Sequence, residues 1–89
     1  MEKTAVLAQL KEYLETEVLR DTAIELTDET PLLEWGILTS LMTAQLVGHI
    51  RESYGLYVPA EKVVGAHFRN LDSITDLVLE LDGDPHARI

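Results

Sequence analysis

One serine stands where an apolar loop gives way to an amphipathic helix, and this junction constrains the fold more than any other part of the chain. Residues 35–46 read Trp-Gly-Ile-Leu-Thr-Ser-Leu-Met-Thr-Ala-Gln-Leu. Threonine, as at Thr39, caps helices by accepting a hydrogen bond from a free backbone N–H. Apolar side chains then follow at helical spacing, at Leu46, Val47, Ile50 and Tyr54. The pattern predicts a helix from about Ser40 to Ser53.

This register places Ser40 in the first turn of the helix. Backbone N–H groups there lack partners within the helix, and the positive end of the helix dipole favours an anion. A phosphate esterified to the Ser40 hydroxyl would therefore lie in a favourable field. The simpler alternative is that Ser40 is an ordinary serine at a helix start.

Two further helices follow from the apolar pattern. The first runs from Ala5 to about Leu19, and the last from about Asp72 to Leu81, with Asn70 or Asp72 as its cap. Gly55 suits a left-handed C-terminal cap for the middle helix. A short helical turn is predicted over residues 61–64.

The connection over residues 20–38 is long, and we expect it to press its apolar side chains onto the core: Leu26, Leu32, Leu33 and Ile37. Loops of this length are usually functional. No stretch alternates apolar and polar residues as a strand would. The chain is therefore predicted to be all-α, a small four-helix bundle of three principal helices and one short helix, with a long first loop.

The 89 residues suffice for one domain, 1–89, with an ordered core of about residues 5–81 and a frayed tail over residues 82–89. The absence of cysteine excludes a disulfide scaffold and a thiolate metal site. No apolar run is long enough to cross a membrane, and the acidic N-terminus is unlike a signal peptide. We expect a soluble, cytoplasmic protein.

The net charge of −9 is unevenly distributed. Residues 1–35 carry −6, residues 36–59 carry none in sum, and residues 60–89 carry −3. Such a chain would repel nucleic acid and anionic lipid, and would be steered toward basic patches on protein partners. We therefore expect no nucleic acid and no membrane among its ligands, and we expect a monomer.

The ordered set of motifs resembles the acyl and peptidyl carrier proteins. Thr30-Pro31-Leu32-Leu33 leads through Gly36-Ile37-Leu38 to Ser40, as the long first loop of these proteins does. Tyr54-Gly55-Leu56-Tyr57-Val58-Pro59 resembles their helix-ending turn, and residues 68–74 resemble the entry to the last helix of aminoacyl carriers. The similarity covers roughly residues 5–81. One departure is Thr39, which stands where the family usually has aspartate.

The resemblance implies a non-catalytic carrier. Ser40 would anchor a covalent 4′-phosphopantetheine arm, derived from coenzyme A, whose thiol holds an aminoacyl or small acyl group as a thioester. The partners implied are a phosphopantetheinyl transferase, an adenylating ligase or acyltransferase, and a downstream transferase or synthase. Residues 31–38 look like those of discrete carriers in bacterial polyketide and nonribosomal peptide pathways.

Counting from the serine, the positions that carriers use to meet enzymes fall on Thr39, Leu41, Ala44, Gln45, Gly48 and Arg51. These residues are neutral or basic, unlike those of acidic fatty-acid carriers. Partner choice by shape and apolar contact is therefore expected.

Two rival functions remain open. A fatty-acid-type carrier would need an apolar pocket for a long chain, whereas a helical interaction module would leave Ser40 unmodified.

A serine hydrolase is disfavoured, because His49 lies about 180° around the helix from Ser40 and about 13 Å along it. His49 and Glu52 alone make a poor metal site and are interpreted as a solvated surface pair. Trp35 either covers the loop or flanks the mouth from which the arm emerges.

Overall fold

The computed structural model describes residues 2–18 and 25–88. Over these ranges the chain forms α1 (Lys3–Tyr13), a wider π-helical segment (Leu14–Val18), α2 (Ser40–Tyr54), a 3-10 turn (Ala60–Lys62), α3 (Gly65–Phe68) and α4 (Leu71–Asp82). The helical fold class and the small bundle predicted from the sequence are confirmed. None of the helices in these ranges is long and apolar enough to cross a membrane.

The first helix begins two residues earlier than predicted and changes geometry at Leu14. Leu10 and Leu14, four residues apart, are both fully buried. A four-residue spacing suits an α-helical face, and it does not reveal the π-type hydrogen bonding that follows. The predicted end at Leu19, and the start of the loop over residues 20–24, lie outside the described residues.

The middle helix has both of the caps expected from the sequence. The Thr39 side chain accepts a hydrogen bond from the backbone N–H of Met42, and Gly55 adopts a left-handed conformation with φ +64°. The Gly55 N–H donates to the Arg51 carbonyl at 2.9 Å. Because both ends are capped locally, the register of α2 is set by its own sequence.

The first loop buries apolar side chains without regular secondary structure. Leu26, Leu32, Ile37 and Leu38 are all at most 5% exposed. The loop is tied to the body by backbone hydrogen bonds, from Leu32 N–H to the Arg69 carbonyl and from Asp72 N–H to the Asp28 carbonyl. Its own backbone folds back as well, since the N–H groups of Ile37 and Leu38 both donate to the Leu32 carbonyl. These bonds satisfy polar backbone groups that burial would otherwise leave unpaired.

The last helix forms the centre of the bundle. α1 and α3 both pack against it, and its buried face consists of Leu71, Ile74, Thr75, Leu77, Val78 and Leu81. Of the two caps considered for this helix, Asn70 is the correct one: its side chain accepts from the Ser73 N–H at 2.8 Å. The short helical element is 3-10 over Ala60–Lys62, and a separate turn of α-helix follows from Gly65.

The expected fraying of residues 82–89 is wrong for the part of this segment that is described. α4 continues to Asp82, and Ala87 is only 2% exposed. The Tyr57 N–H donates to the Ala87 carbonyl at 2.7 Å, and Leu56 and Arg88 form an isolated antiparallel bridge. The polar composition of the segment suggested mobility, whereas tertiary pairing with the chain after α2 holds it in place.

Two glycines of this region provide a matched test of backbone conformation. A Cβ at either Gly48 or Gly55 would meet nothing within 4 Å, but only Gly55 has a positive φ. Gly55→Ala should therefore destabilise the protein by about 1 kcal/mol. Gly48→Ala should stabilise it by about 1 kcal/mol, because Gly48 lies inside a helix. Urea unfolding of both variants measures the two effects; changes of the same sign would contradict the argument.

Candidate functional site

Ser40 is the first residue of α2 and is exposed. The cap at Thr39 occupies the Met42 N–H, and the Thr43 N–H donates to the Thr39 carbonyl at 2.8 Å. The N–H groups of Ser40 and Leu41 precede the first bond of the α-helical ladder and point out from its N-terminus. No acidic residue lies in this first turn. A phosphate ester on Ser40 would thus meet partial positive charge without a carboxylate beside it.

An apolar groove of about 720 Å³ opens beside Ser40. One wall is the side of α2 that carries Ser40, Thr43, Ala44 and Val47. The rest of its lining comes from the first loop, the α2–α3 connection and α3: Leu33, Leu38, Thr39, Tyr57, Val58, Ala60, Val63, Val64, Gly65 and Phe68. The serine hydroxyl therefore lies at the edge of an open, mainly apolar trough.

Leu33 departs from its expected place in the core. It is 38% exposed and lines the groove, and its Cδ1 lies 3.6 Å from the position that a Cβ on Gly65 would take. Its neighbour Leu32 is fully buried. Leu32 therefore faces the core, whereas Leu33 lies in the groove wall next to α3.

Sequence reasoning also missed most of the far wall of the groove. Tyr57 is 53% exposed, and Val63 and Val64 are 37% and 45% exposed. The signal was present as two apolar pairs in a short connection, Tyr57-Val58 and Val63-Val64, which exceeds what a solvated turn requires. Trp35 is 60% exposed and is not among the residues that line the groove, so its position favours neither function considered for it.

The residues around Ser40 leave room for a phosphopantetheine arm on its hydroxyl. Ser40 is exposed, so a substituent on its hydroxyl displaces no packed atom. The groove starts at the same residue and offers apolar walls with the hydroxyls of Thr39 and Thr43 among them. An extended substituent can thus leave Ser40 either along the groove or into solvent.

Four of the six predicted docking residues border two different concave surfaces. Thr39 and Ala44 line the groove, whereas Gln45 and Gly48 line a smaller depression of about 340 Å³ on the side of α2 that faces α1. Leu41 is 69% exposed, and Arg51 is also exposed. The residues are therefore distributed along a stripe of α2 that separates two concave surfaces.

His49 is not the solvated surface residue expected from the sequence. It is half-buried, and its ring stacks on Tyr13 of α1 with 3.8 Å between the centroids and 17° between the planes. Its Nε2 lies 2.7 Å from Gln9 Nε2, and the Tyr54 hydroxyl donates to Gln9 Oε1 at 2.9 Å. A surface pair with Glu52 is thus replaced by a polar contact between α1 and α2.

The network indicates the protonation state of His49. His49 Nε2 lies 2.7 Å from Gln9 Nε2 and 3.1 Å from Gln9 Oε1, and His49 Nδ1 lies 3.3 Å from Ser53 Oγ, so either neutral tautomer of the imidazole has partners. Burial lowers the pKa of His49, and the carboxylates of Glu52 and Glu17 oppose that shift. His49 is therefore neutral near pH 7 and engaged on the α1 side of α2.

His49 is not placed to act as a base for Ser40. The nearest histidine in sequence, His49, is occupied by Gln9 and Tyr13. Within residues 2–18 and 25–88, no three histidine, cysteine, aspartate or glutamate residues come together as a metal site. What the described site presents is an exposed hydroxyl at a helix N-terminus beside an apolar groove.

Comparison with known proteins identifies a family and similar solved structures. The family model described as phosphopantetheine attachment site matches residues 6–78. A chain of a solved structure described as "Crystal structure of FAD-dependent dehydrogenase" is 34% identical and superposes with a TM-score of 0.74. The match covers 79% of this chain and 99% of that chain. Among curated proteins, none is significantly similar.

The lowered pKa of His49 makes stability depend on pH. The unfolded chain holds the ordinary histidine pKa of about 6.5, so below that value it binds more protons at this residue than the folded chain does. The contribution of neutral His49 is therefore complete above about pH 6.5 and is lost as the pH falls toward the lower folded pKa. We expect the free energy of unfolding to decrease between about pH 7.5 and pH 5.5, and His49→Gln to weaken that dependence.

Urea unfolding at several pH values measures this effect, with the exposed His86→Gln as the matched control. An equal loss of pH dependence in both variants would show that the contact of His49 with α1 does not cause the pH dependence of stability.

Proposed function

Because the chain belongs to the phosphopantetheine attachment site family, we propose that Ser40 is its attachment residue and that the domain carries an aminoacyl or small acyl group between enzymes of a specialised biosynthetic pathway. The family assignment establishes a carrier domain with covalent 4′-phosphopantetheine as its prosthetic group. The observation that supports Ser40 is its position: exposed, first in α2, with free N–H groups and an apolar groove beside it.

The chain's own residues would serve the carrier in distinct ways. When bound, the arm supplies a thiol that holds the cargo as a thioester. Ser40 provides the ester oxygen, the first-turn N–H groups of α2 favour the phosphate, and Thr39 keeps the helix start in register. The domain raises the effective concentration of the tethered cargo at each enzyme.

Carrier domains of this kind meet a phosphopantetheinyl transferase and the enzymes that load and use the cargo. We assign the loading step to an adenylating ligase, following the resemblance of residues 31–38 to discrete carriers of polyketide and nonribosomal peptide assembly.

The groove keeps the fatty-acid-type carrier as a second candidate. Its apolar lining and volume of about 720 Å³ could receive an acyl chain. The two candidate functions differ in the cargo. A long acyl chain could occupy the groove, whereas a small aminoacyl group would leave most of it free. Loading the protein with alkyl chains of increasing length, and measuring thermal unfolding, separates them, because only a sequestering carrier gains stability with chain length.

Ser40 is tested by covalent modification. Incubation with a broad-specificity phosphopantetheinyl transferase and coenzyme A should raise the intact mass by one phosphopantetheine. Ser40→Ala should abolish the gain and retain the helical circular dichroism, since the residue is exposed and the cap at Thr39 remains. Ser73→Ala, in the first turn of α4, is the matched control and should be modified like the wild type. A gain that persists in Ser40→Ala would refute the assignment.

Docking is proposed to run along α2 through Thr39, Leu41, Ala44, Gln45, Gly48 and Arg51. Residues 36–59 have no net charge, so the close contacts should be apolar and steric. Gly48 offers the sharpest test, because a Cβ there meets nothing within 4 Å and a larger side chain would project into free space.

We expect Gly48→Leu to impair loading by the cognate ligase without destabilising the fold, since leucine favours a helix by several tenths of a kcal/mol over glycine. Arg51→Glu should impair loading less. Loading kinetics at low and high salt provide the measurement, and unfolding curves provide the control. A greater defect in Arg51→Glu, together with a collapse of wild-type loading in salt, would show that charge governs docking.

A further inference from the structure

The segment after α4 is folded by short-range hydrogen bonds. The Asp84 N–H donates to the Leu81 carbonyl at 3.0 Å, the Ala87 N–H to the Asp84 carbonyl at 3.1 Å, and the His86 N–H to Asp84 Oδ1 at 2.9 Å. These bonds turn the chain back toward the α2–α3 connection. We name residues Asp84–Arg88 the C-terminal strap.

The last two residues of the strap fasten it to the rest of the protein. Arg88 Nη2 contacts Asp82 Oδ1 at 2.6 Å and the Asp82 carbonyl at 2.9 Å. The Ala87 carbonyl accepts from the Tyr57 N–H at 2.7 Å, and the Ala87 side chain belongs to the core. The strap thus joins the end of α4 to the chain that follows α2.

The paired chain is one wall of the groove beside Ser40. In extended backbone successive side chains point to opposite sides, and here Leu56 and Val58 are at most 4% exposed whereas Tyr57 is 53% exposed. Tyr57 lines the groove with this exposed side chain, and the buried Val58 also borders the groove. A slip of one residue in the pairing would turn Tyr57 inward and expose the other two. The register of the bridge between Leu56 and Arg88 therefore agrees with the outward placement of Tyr57.

We propose that the C-terminal strap is a positioning element for the carrier site: by pairing with Tyr57 it determines that this side chain faces the groove next to Ser40. Ala87 and Arg88 are then positioning residues that act through Tyr57, at a distance in sequence from the serine. The consequence for the arm rests on the proposed function of Ser40, whereas the orientation of Tyr57 does not.

The first experiment uses the unmodified full chain. Ala87→Asp places a carboxylate at a position that is 2% exposed and should detach the strap. We expect the Tyr57 amide to lose its protection from hydrogen exchange, and the chemical shifts of the Tyr57 ring protons to change. Ala87→Ser, which is nearly the same size, should restore both signals.

Lys3→Ala is the control, since it removes exposed ion pairs to Asp72 and Asp76 on α4 without touching the strap. It should leave the exchange rate of the Tyr57 amide unchanged. If Ala87→Asp loses its helical circular dichroism, Arg88→Glu replaces it, because a carboxylate facing Asp82 should free the strap more gently. If the variant remains folded and the hydrogen exchange of the Tyr57 amide is unchanged, the proposal is overturned.

The second experiment adds a fluorophore that senses its environment, loaded onto Ser40 by the transferase from a coenzyme A analogue. Ala87→Asp and Tyr57→Ala should each shift its emission, and the double variant should shift it no further than Tyr57→Ala alone, because the strap acts through Tyr57. Additive shifts, or no shift in Ala87→Asp, would mean that the strap is only structural. Failure of the wild type to accept the fluorophore would count against Ser40 and leave the exchange result to decide the strap.

Discussion

The burial of an irregular loop is the constraint on which the rest of this structure depends. Leu26, Leu32, Ile37 and Leu38 enter the core from a segment with no regular hydrogen-bond ladder. Their backbone groups must still be paired, and the bonds to the Arg69 carbonyl and from the Asp72 N–H supply this pairing from the start of α4. The end of the loop is thereby brought close to α3, and the Thr39 cap starts α2 at that point. Ser40 reaches the groove because the loop is fastened in this way.

The two sides of α2 differ in the kind of contact they make. Toward α3 it presents Thr43, Ala44 and Val47 to an open apolar groove. Toward α1 it is joined by the stacked rings of Tyr13 and His49, with Gln9 bridging to Tyr54. Directional polar contacts hold the α1 side in one geometry, whereas the apolar groove has no such directional requirement. The side of α2 that adjoins Ser40 is thus the one without fixed polar partners.

The charges of the chain are concentrated away from α2. Apart from Glu52, the acidic residues lie outside residues 36–59, and this range, which contains α2, is neutral in sum. Long-range attraction of a partner by the flanking charges is therefore separate from any close contact along α2, and salt screens mainly the attraction. A carrier that must meet several enzymes in turn can be attracted by charge yet released easily, because few ion pairs need to be broken at the contact itself.

Local chemistry in the sequence determined the helices, their caps and the place of the serine. Thr39, Gly55 and Asn70 act through hydrogen bonds or backbone conformation within a few residues, so their roles were visible in the chain. The family resemblance, carried by the same motifs, indicated the prosthetic group. The tertiary structure alone decided which leucine of the first loop faces the groove, that His49 joins α1 to α2, and that residues 84–88 pair with Tyr57. These features depend on contacts between residues far apart in sequence, for which periodicity and composition carry no signal.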